Sequence, residues 1–304
     1  MAAVANASSA ADGLPALRTP QDLARDYAAF THCDPLQDCV IAELGGDMVG
    51  YSRCWHLELT DGLVLHVQIA FVPGQWRQHG IDSLLLAWAE QRHRTVAAQE
   101  PGRQHVHHAY LRQEEETQAL LLHAHGYVPV RYFEAMLHTQ LHAVPDFPLP
   151  AGIELRPVLP AHYRAIWNAH HTAFLDHWGM ARPGPGDFEA WQQSRVFQPD
   201  RWQVAWSGDE VAGQVRTYID EDQNRLLARR RGYSEFISVG RPWRRLGLAR
   251  ALIARSLQLL AREGMQESAL EVDSHNPTGA TRVYADCGFV VDTRGTVYRK
   301  ALEV

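Results

Sequence analysis

Lysine is almost absent from this chain of 304 residues: Lys300 is the only one, and arginine supplies the other basic side chains. Long apolar runs are missing as well. None approaches the roughly 20 residues that a membrane-spanning helix needs, so no membrane association is expected. The four cysteines, Cys33, Cys39, Cys54 and Cys287, lack the paired spacing of a metal site. In a chain of this length they fit free thiols in a reducing compartment, and a cytoplasmic location is expected. Neither Gly-Lys-Ser/Thr nor Gly-x-Gly-x-x-Gly occurs, which excludes the two common nucleotide-binding fingerprints. A net charge of −6 gives no electrostatic basis for binding nucleic acid. Residues 1–16 are rich in Ala and Ser but have no basic n-region and no strongly apolar h-region. They do not read as a signal peptide, and a disordered lead-in is expected there.

The most informative stretch present is Val239-Gly-Arg-Pro-Trp-Arg-Arg-Leu-Gly-Leu-Ala-Arg-Ala-Leu-Ile253. Tyr233 to Val239 reads as a strand. Leu252, Ile253, Leu257, Leu259 and Leu260 then recur at helical spacing, opposite Arg250, Arg255, Gln258 and Arg262. A strand that turns through Gly247 into a helix leaves free N–H groups at the positive end of a helix dipole, a ready place for a phosphate.

A second copy of this pattern lies upstream. Trp76, Arg77 and Gly80 match Trp243, Arg244 and Gly247 at one offset of 167 residues, and His125-Gly-Tyr127 echoes Cys287-Gly-Phe289. An internal repeat of domain length is the economical explanation. The prolines and glycine of Val144 to Gly152 break every periodic pattern, so the expected division is 17–143, a linker at 144–152, and 153–304. The periodicities predict helices over Pro20 to Thr31, Ala161 to Phe174 and Asp187 to Ser194. Strands are predicted over Asp38 to Glu43, Met48 to Leu57, Leu63 to Val72, Arg201 to Ser207 and Glu210 to Tyr218, with a charged loop from Glu221 to Arg231.

Arg-x-x-Gly-x-Ala after a strand ending in Val resembles the acetyl-CoA signature of the GNAT-type acetyltransferases. The downstream block Val272-Asp-Ser-His-Asn-Pro-Thr-Gly-Ala-Thr-Arg-Val-Tyr-Ala-Asp-Cys-Gly-Phe289 resembles the second half of the same family. The resemblance implies an α/β fold of two tandem GNAT-type domains, each a mixed, mainly antiparallel sheet flanked by helices. It also implies a sheet that splays between Tyr233–Val239 and Glu267–Val272 to admit the acetyl-pantetheine arm. Tandem chains with a worn first copy are similar to the mycothiol synthases, which acetylate a primary amine.

On that resemblance, acetyl-CoA is the co-substrate, bound by Ile237, Val239, Arg244, Arg245, Leu246, Gly247, Leu248, Ala249 and Asn276. Asn276 is also expected as the N-cap of a helix with Pro277 at its first position. Tyr284, in Tyr-x-x-x-Gly-Phe order, corresponds to the tyrosine that protonates the departing thiolate; a packed aromatic is its alternative role. Many members carry a glutamate where this chain has Tyr233. Glu235 is therefore the candidate base, a substrate-ammonium contact, or a solvated strand residue. By the two-residue period Tyr233, Glu235, Ile237 and Val239 are expected on one face. Asp176, His177 and Trp178 fall where the family's substrate loop lies.

The histidines at 105, 107, 108, 123 and 125 lack a cysteine or carboxylate at ligand spacing, so scattered surface histidines and no metal are expected. The function implied is acetyl transfer to a small-molecule amine by a monomer or homodimer, with no nucleic-acid or membrane partner. A non-catalytic acyl-CoA-binding regulatory protein and an acetyltransferase of protein N-termini are the alternatives. The second copy is expected to catalyse. The first carries Asp82 at the place of Ala249, Glu114 to Glu116 near the place of Asn276, and Leu122 or His123 near that of Tyr284.

Overall fold

The alanine-rich start of the chain favours helix, and Ala2–Ala11 forms α1 rather than a disordered lead-in. The computed structural model describes residues 1–15, 18–28, 30, 32–175, 177–276 and 278–303. After α1 come α2 (Pro20–Ala28), β1 (Cys39–Leu44), β2 (Asp47–Glu58), β3 (Val64–Phe71), α3 (Ile81–Ala97), β4 (His105–Arg112), α4 (Glu116–Ala124) and β5 (Val128–His138). The order then largely repeats: β6 (Glu154–Leu155), α5 (Tyr163–Phe174), α6 (Asp187–Gln193), β7 (Gln203–Ser207) and β8 (Glu210–Ile219). It continues through α7 (Glu221–Leu226), β9 (Arg231–Val239), α8 (Leu248–Arg262), β10 (Glu267–Asp273), α9 (Ala280–Asp286) and β11 (Val290–Leu302). The expected charged loop at 221–231 holds α7, because the Asp220 carboxylate accepts a hydrogen bond from the Gln223 N–H and caps a helical turn.

The chain forms two compact units that interleave in sequence. One comprises residues 1–132, 181–190 and 295–304; the other comprises 133–180 and 191–294. In the first the strand order is β1-β2-β3-β4-β11, antiparallel except for the parallel pair β3 and β4. In the second it is β5-β10-β9-β8-β7-β6, again antiparallel except for one parallel pair, β10 and β9. Each unit thus takes a strand from the other half of the sequence. Gly295 to Leu302 pairs with β4, and Phe133 to His138 pairs with β10. The compact units therefore cross the sequence positions 143 and 153 at which the repeat pattern breaks.

The repeat holds at the level of the backbone. Gln78 and Arg245, both non-glycine, adopt φ of 65° and 64°, and Gly80 and Gly247 cap their helices at 81° and 85°. Arg77 and Arg244 are also equivalent in their contacts. Each donates from Nε to the carbonyl at the end of the preceding strand, Val72 at 3.1 Å and Val239 at 3.2 Å. Each then reaches from Nη2 to a helix carbonyl, Ser8 of α1 at 3.2 Å and Ala173 of α5 at 2.9 Å. α1 is therefore the first copy's counterpart of α5. It is held by Val4 and Ala5, packed against Tyr51, and by the buried ion pair of Arg77 with Asp12.

The core of the second unit forms around α8. Leu248, Leu252, Ile253, Leu257 and Leu260 pack against Val215, Ile219, Leu270, Val272 and Phe289. Small groups let the helix approach closely. A Cβ on Gly232 would collide with the Leu260 side chain, and Ser256 hydrogen-bonds Thr217 at 2.6 Å and Ser234 at 2.7 Å across a buried interface.

The first unit corrects one expectation. His105 and His107 are not surface residues; with His66 and His93 they are buried on the sheet and α3. They pair as His66 with His105 at 3.0 Å and His93 with His107 at 2.9 Å. Burial pushes His66 down to about 3 and His107 to about 4, so both are neutral at ordinary pH. Among the described residues no group of three His, Cys, Asp or Glu is placed to hold a metal ion. No helix among them is long and apolar enough to cross a membrane.

The strand exchange has a direct test. Deleting residues 295–304 removes the partner of β4, so amide hydrogen-exchange protection over His105–Arg112 is expected to fall. Unchanged protection would mean that β4 does not rely on the C-terminal strand.

Candidate active site

In the second unit β9 ends at Val239, and the chain makes a short 3₁₀ turn over Arg241–Trp243 before entering α8. Trp243 packs on Gly240 so tightly that a Cβ there would lie 2.8 Å from its ring. Arg245 is left-handed, and Gly247 caps α8 at φ 85° with no side-chain hydrogen bond. The first N–H groups of α8, from Leu248 and Ala249, have no intrahelical acceptor, as at any helix start. The Arg244 guanidinium turns inward to Val239 and Ala173 and so orders the turn. Arg245 and Leu246 are exposed.

Beside this turn the sheet opens. β9 and β10 pair only from Arg231 with Glu267 to Tyr233 with Ala269, although β9 runs on to Val239 and β10 to Asp273. The expected splay is present between these two strands.

Glu235 lies on β9 just beyond the last paired residue. Its neighbour Phe236 has φ of 50°, and the β8 register slips by one residue between Gln214 and Arg216. This bulge overturns the expectation that Tyr233, Glu235, Ile237 and Val239 share a face. An extra residue in one strand reverses the alternation beyond it. Tyr233 and Glu235 face the same side as Tyr218, whereas Ile237 and Val239 pack into the α8 core.

The Tyr218 hydroxyl donates to Glu235 Oε2 at 3.1 Å, and the Tyr218 ring stacks on Tyr233 at 4.7 Å and 8°. Burial pushes the Glu235 carboxyl up to about 7; the Tyr218 hydrogen bond pulls against that, and Glu271 adds to it. The sequence reading missed Tyr218. The period of β8 was its signal, since Gln214, Arg216 and Tyr218 alternate with Val215, Thr217 and Ile219.

Tyr284 lies on α9, 8% exposed within the α8 core cluster. Burial, with a smaller contribution from Cys287, pushes its phenol well above the usual range, so it is protonated at neutral pH. Its hydroxyl makes no hydrogen bond among the described residues.

Asn276 does not cap α9. Gly279, at φ 73°, is the N-cap, and Asn276 Oδ1 instead accepts from the Thr278 N–H at 2.8 Å and its hydroxyl at 2.6 Å. The Asn276 side-chain amide lies 3.0 Å from His177 Nε2, which brings two residues of the sequence reading together. Trp178 is half-buried, and Asp176 and Pro277 lie outside the described residues.

Residues 163–289 match the family model described as Acetyltransferase (GNAT) family. They are a GNAT acetyltransferase domain. The chain is 26% identical to a mycothiol acetyltransferase of Geodermatophilus obscurus, over 98% of this chain and 92% of that protein. It is 30% identical to a mycothiol acetyltransferase of Paenarthrobacter aurescens, where the match spans 58% of this chain and only about half, 54%, of the relative. Among solved structures, a GCN5-related N-acetyltransferase from Sphaerobacter thermophilus superposes with a TM-score of 0.76 at 26% identity, covering 100% of this chain and 92% of that one. A tandem GNAT protein from the clavulanic acid biosynthesis pathway shares the fold, with a TM-score of 0.60 at 17% identity over 88% and 84% of the two chains. The two-copy, mixed and mainly antiparallel GNAT architecture is thus present in this chain.

The raised Glu235 carboxyl couples stability to pH. Between its ordinary 4.5 and about 7 the folded state keeps a proton that the unfolded chain has lost, so this group lowers stability as pH rises through that window. Glu235→Gln removes the effect. Compared with wild type, its denaturant midpoint is expected to rise at pH 8 and to change little at pH 4. An equal shift at both pH values would show that Glu235 is not buried as an acid.

Proposed function

We propose that the protein transfers an acetyl group from acetyl-CoA to the primary amine of a small molecule, and that the second unit carries the reaction. The observation that supports this most is the juxtaposition, within one unit, of an opened sheet, a left-handed Gly247 turn at its edge and a buried, protonated Tyr284. Acetyl transfer from a thioester needs a place for the pyrophosphate, a slot for the pantetheine arm, a neutral amine and a proton for the departing thiolate.

The backbone from Arg244 to Ala249 supplies N–H groups for the pyrophosphate. Ile237 and Val239 line the strand leading into it, and Asn276, held by His177, closes the other side. Glu235, titrating near neutrality, accepts the proton of the incoming ammonium directly or through water. The amine nitrogen attacks the acetyl carbonyl carbon, the carbon–sulfur bond breaks, and Tyr284 gives its proton to the thiolate; the proton that the nitrogen still carries in excess is released through solvent and restores the Tyr284 phenol. His177 and Trp178 border the acceptor. The mycothiol acetyltransferase names of the relatives make the mycothiol precursor amine one acceptor to assay among others.

The first unit is assigned a supporting role. Asp82 stands at the place of Ala249, where its carboxylate would repel a pyrophosphate, and buried Leu122 stands near the place of Tyr284.

Two substitutions test this reading. Gly247→Asp places a Cβ at a left-handed position and a negative charge at the helix start. Calorimetric affinity for acetyl-CoA is expected to fall at least ~tenfold, about 1.4 kcal/mol. Turnover of the full-length variant should fall with it, although the first unit is intact; undiminished turnover would place catalysis in the first unit.

Tyr284→Phe is expected to keep CoA affinity and lower kcat on the order of 10²-fold, the usual scale for a lost general acid. Free-thiol release against a broad amine panel is the readout. Acetyl-CoA binding without thiol release on any amine would make the protein a non-catalytic acyl-CoA-binding one.

A further inference from the structure

The face of β8 and β9 that carries Glu235 holds a second charged side chain. Arg216 is the cross-strand partner of Glu235. Directly opposed residues in an antiparallel pair have Cβ atoms about 4.5–5.5 Å apart, within easy reach of a salt bridge. The two do not use it. Glu235 takes the Tyr218 hydroxyl, and Arg216 Nε donates to Gln214 Oε1 at 2.9 Å. Gln214 is itself pinned to the Ile166 carbonyl of α5 at 2.9 Å, so the guanidinium is held where it is.

Arg216 is 3% exposed, and its Nη2 has no hydrogen-bond partner. Its guanidinium carbon lies 4.7 Å from the ring centre of Trp191, 5.6 Å from Trp202 and 5.5 Å from Phe236. Aromatic faces compensate part of a buried cation's lost hydration, but they accept no directed N–H bond of ordinary strength. His170 of α5 adds a second vacancy in the same neighbourhood. It is 8% exposed, its Nδ1 has no partner, and its ring lies 6.0 Å from that of Phe236.

A buried cation and a half-buried acid at opposed positions, with no ion pair between them, complement a ligand with the reverse pair of charges. Building on the acetyl-transfer reading above, we infer that the acceptor amine bears a carboxylate on a neighbouring carbon, as in an α-amino acid. Arg216 receives that carboxylate while Glu235 receives the ammonium, and His170 is the second contact of the carboxylate. In an α-amino acid one carbon separates the two groups, a spacing suited to side chains at directly opposed positions. Phe236 is the wall that admits the ligand. It sits on the bulge, is 42% exposed and belongs to no core cluster, whereas Trp202 is a core residue against which Trp191 packs.

The test uses the full-length protein with acetyl-CoA and two series of acceptors, the common α-amino acids and their carboxamides, followed by thiol release. For wild type, kcat/KM is expected to be at least ~tenfold higher for the free carboxylates than for the matching carboxamides. In Arg216→Gln that ratio is expected to approach unity. Should the variant not fold, the wild-type ratio decides by itself. Carboxamides turned over as well as or better than carboxylates would overturn the inference and leave acetyl transfer to amines standing; Arg216 would then be a core staple only. Absence of thiol release with both series, together with none on other amines, would remove the acetyl-transfer reading and this inference with it.

Discussion

The close approach of α8 to the sheet is the constraint on which the second unit depends. Gly213 and Gly232 leave room for Leu252 and Leu260, and three small hydroxyls, Thr217, Ser234 and Ser256, satisfy one another in the seam. None of these side chains touches the proposed chemistry. They set the height of the helix over the strands, and so where its unsatisfied N-terminal N–H groups come to lie at the end of β9. A Cβ at Gly232 would force the helix outward, because its nearest neighbour is a packed leucine rather than a mobile surface chain.

With the helix fixed on one face, the bulge at Phe236 decides what appears on the other. A regular strand would send Glu235 and Ile237 the same way. The extra residue keeps Glu235 on the face of Arg216, Tyr218 and Tyr233 and returns Ile237 and Val239 to the core. One positive φ at a non-glycine residue thereby separates the polar groups on one face of β9 from the apolar strand end that leads into the Gly247 turn. Backbone strain of this kind persists where surrounding structure over-determines it, and here β8 and α5 hold both sides.

The first copy shows which backbone features of the turn recur when the interior differs. The left-handed Gln78 and Gly80, and the Arg77 contacts to a strand end and a helix carbonyl, match the second copy bond for bond. Its interior has diverged into a histidine-lined core, with the imidazoles paired to each other and those of His66, His93 and His107 held neutral by burial. The paired imidazoles meet the hydrogen-bonding needs that burial imposes, His93 Nε2 excepted among the described residues.

Much of this was legible in the sequence, and for local reasons. A glycine that must adopt φ 85°, an aromatic seated on a glycine, and leucines at helical spacing are set by neighbours in the chain. The turn, α8 and the repeat could therefore be read from residue types alone. Strand pairing and burial are long-range properties. Nothing in Gly295 to Leu302 distinguishes β4 from a nearer partner. Nothing in Ala2 to Ala11 announces that Val4 and Ala5 will be buried against Tyr51, and the histidines of β4 look the same in sequence whether wet or dry. The bulge at Phe236 was hidden for a related reason: an alternating pattern does not record the single residue at which its phase slips. That slip, and the partners it brings to Glu235, came from the tertiary structure, because only the packing of β8 and α8 against β9 fixes which side of the strand each residue faces.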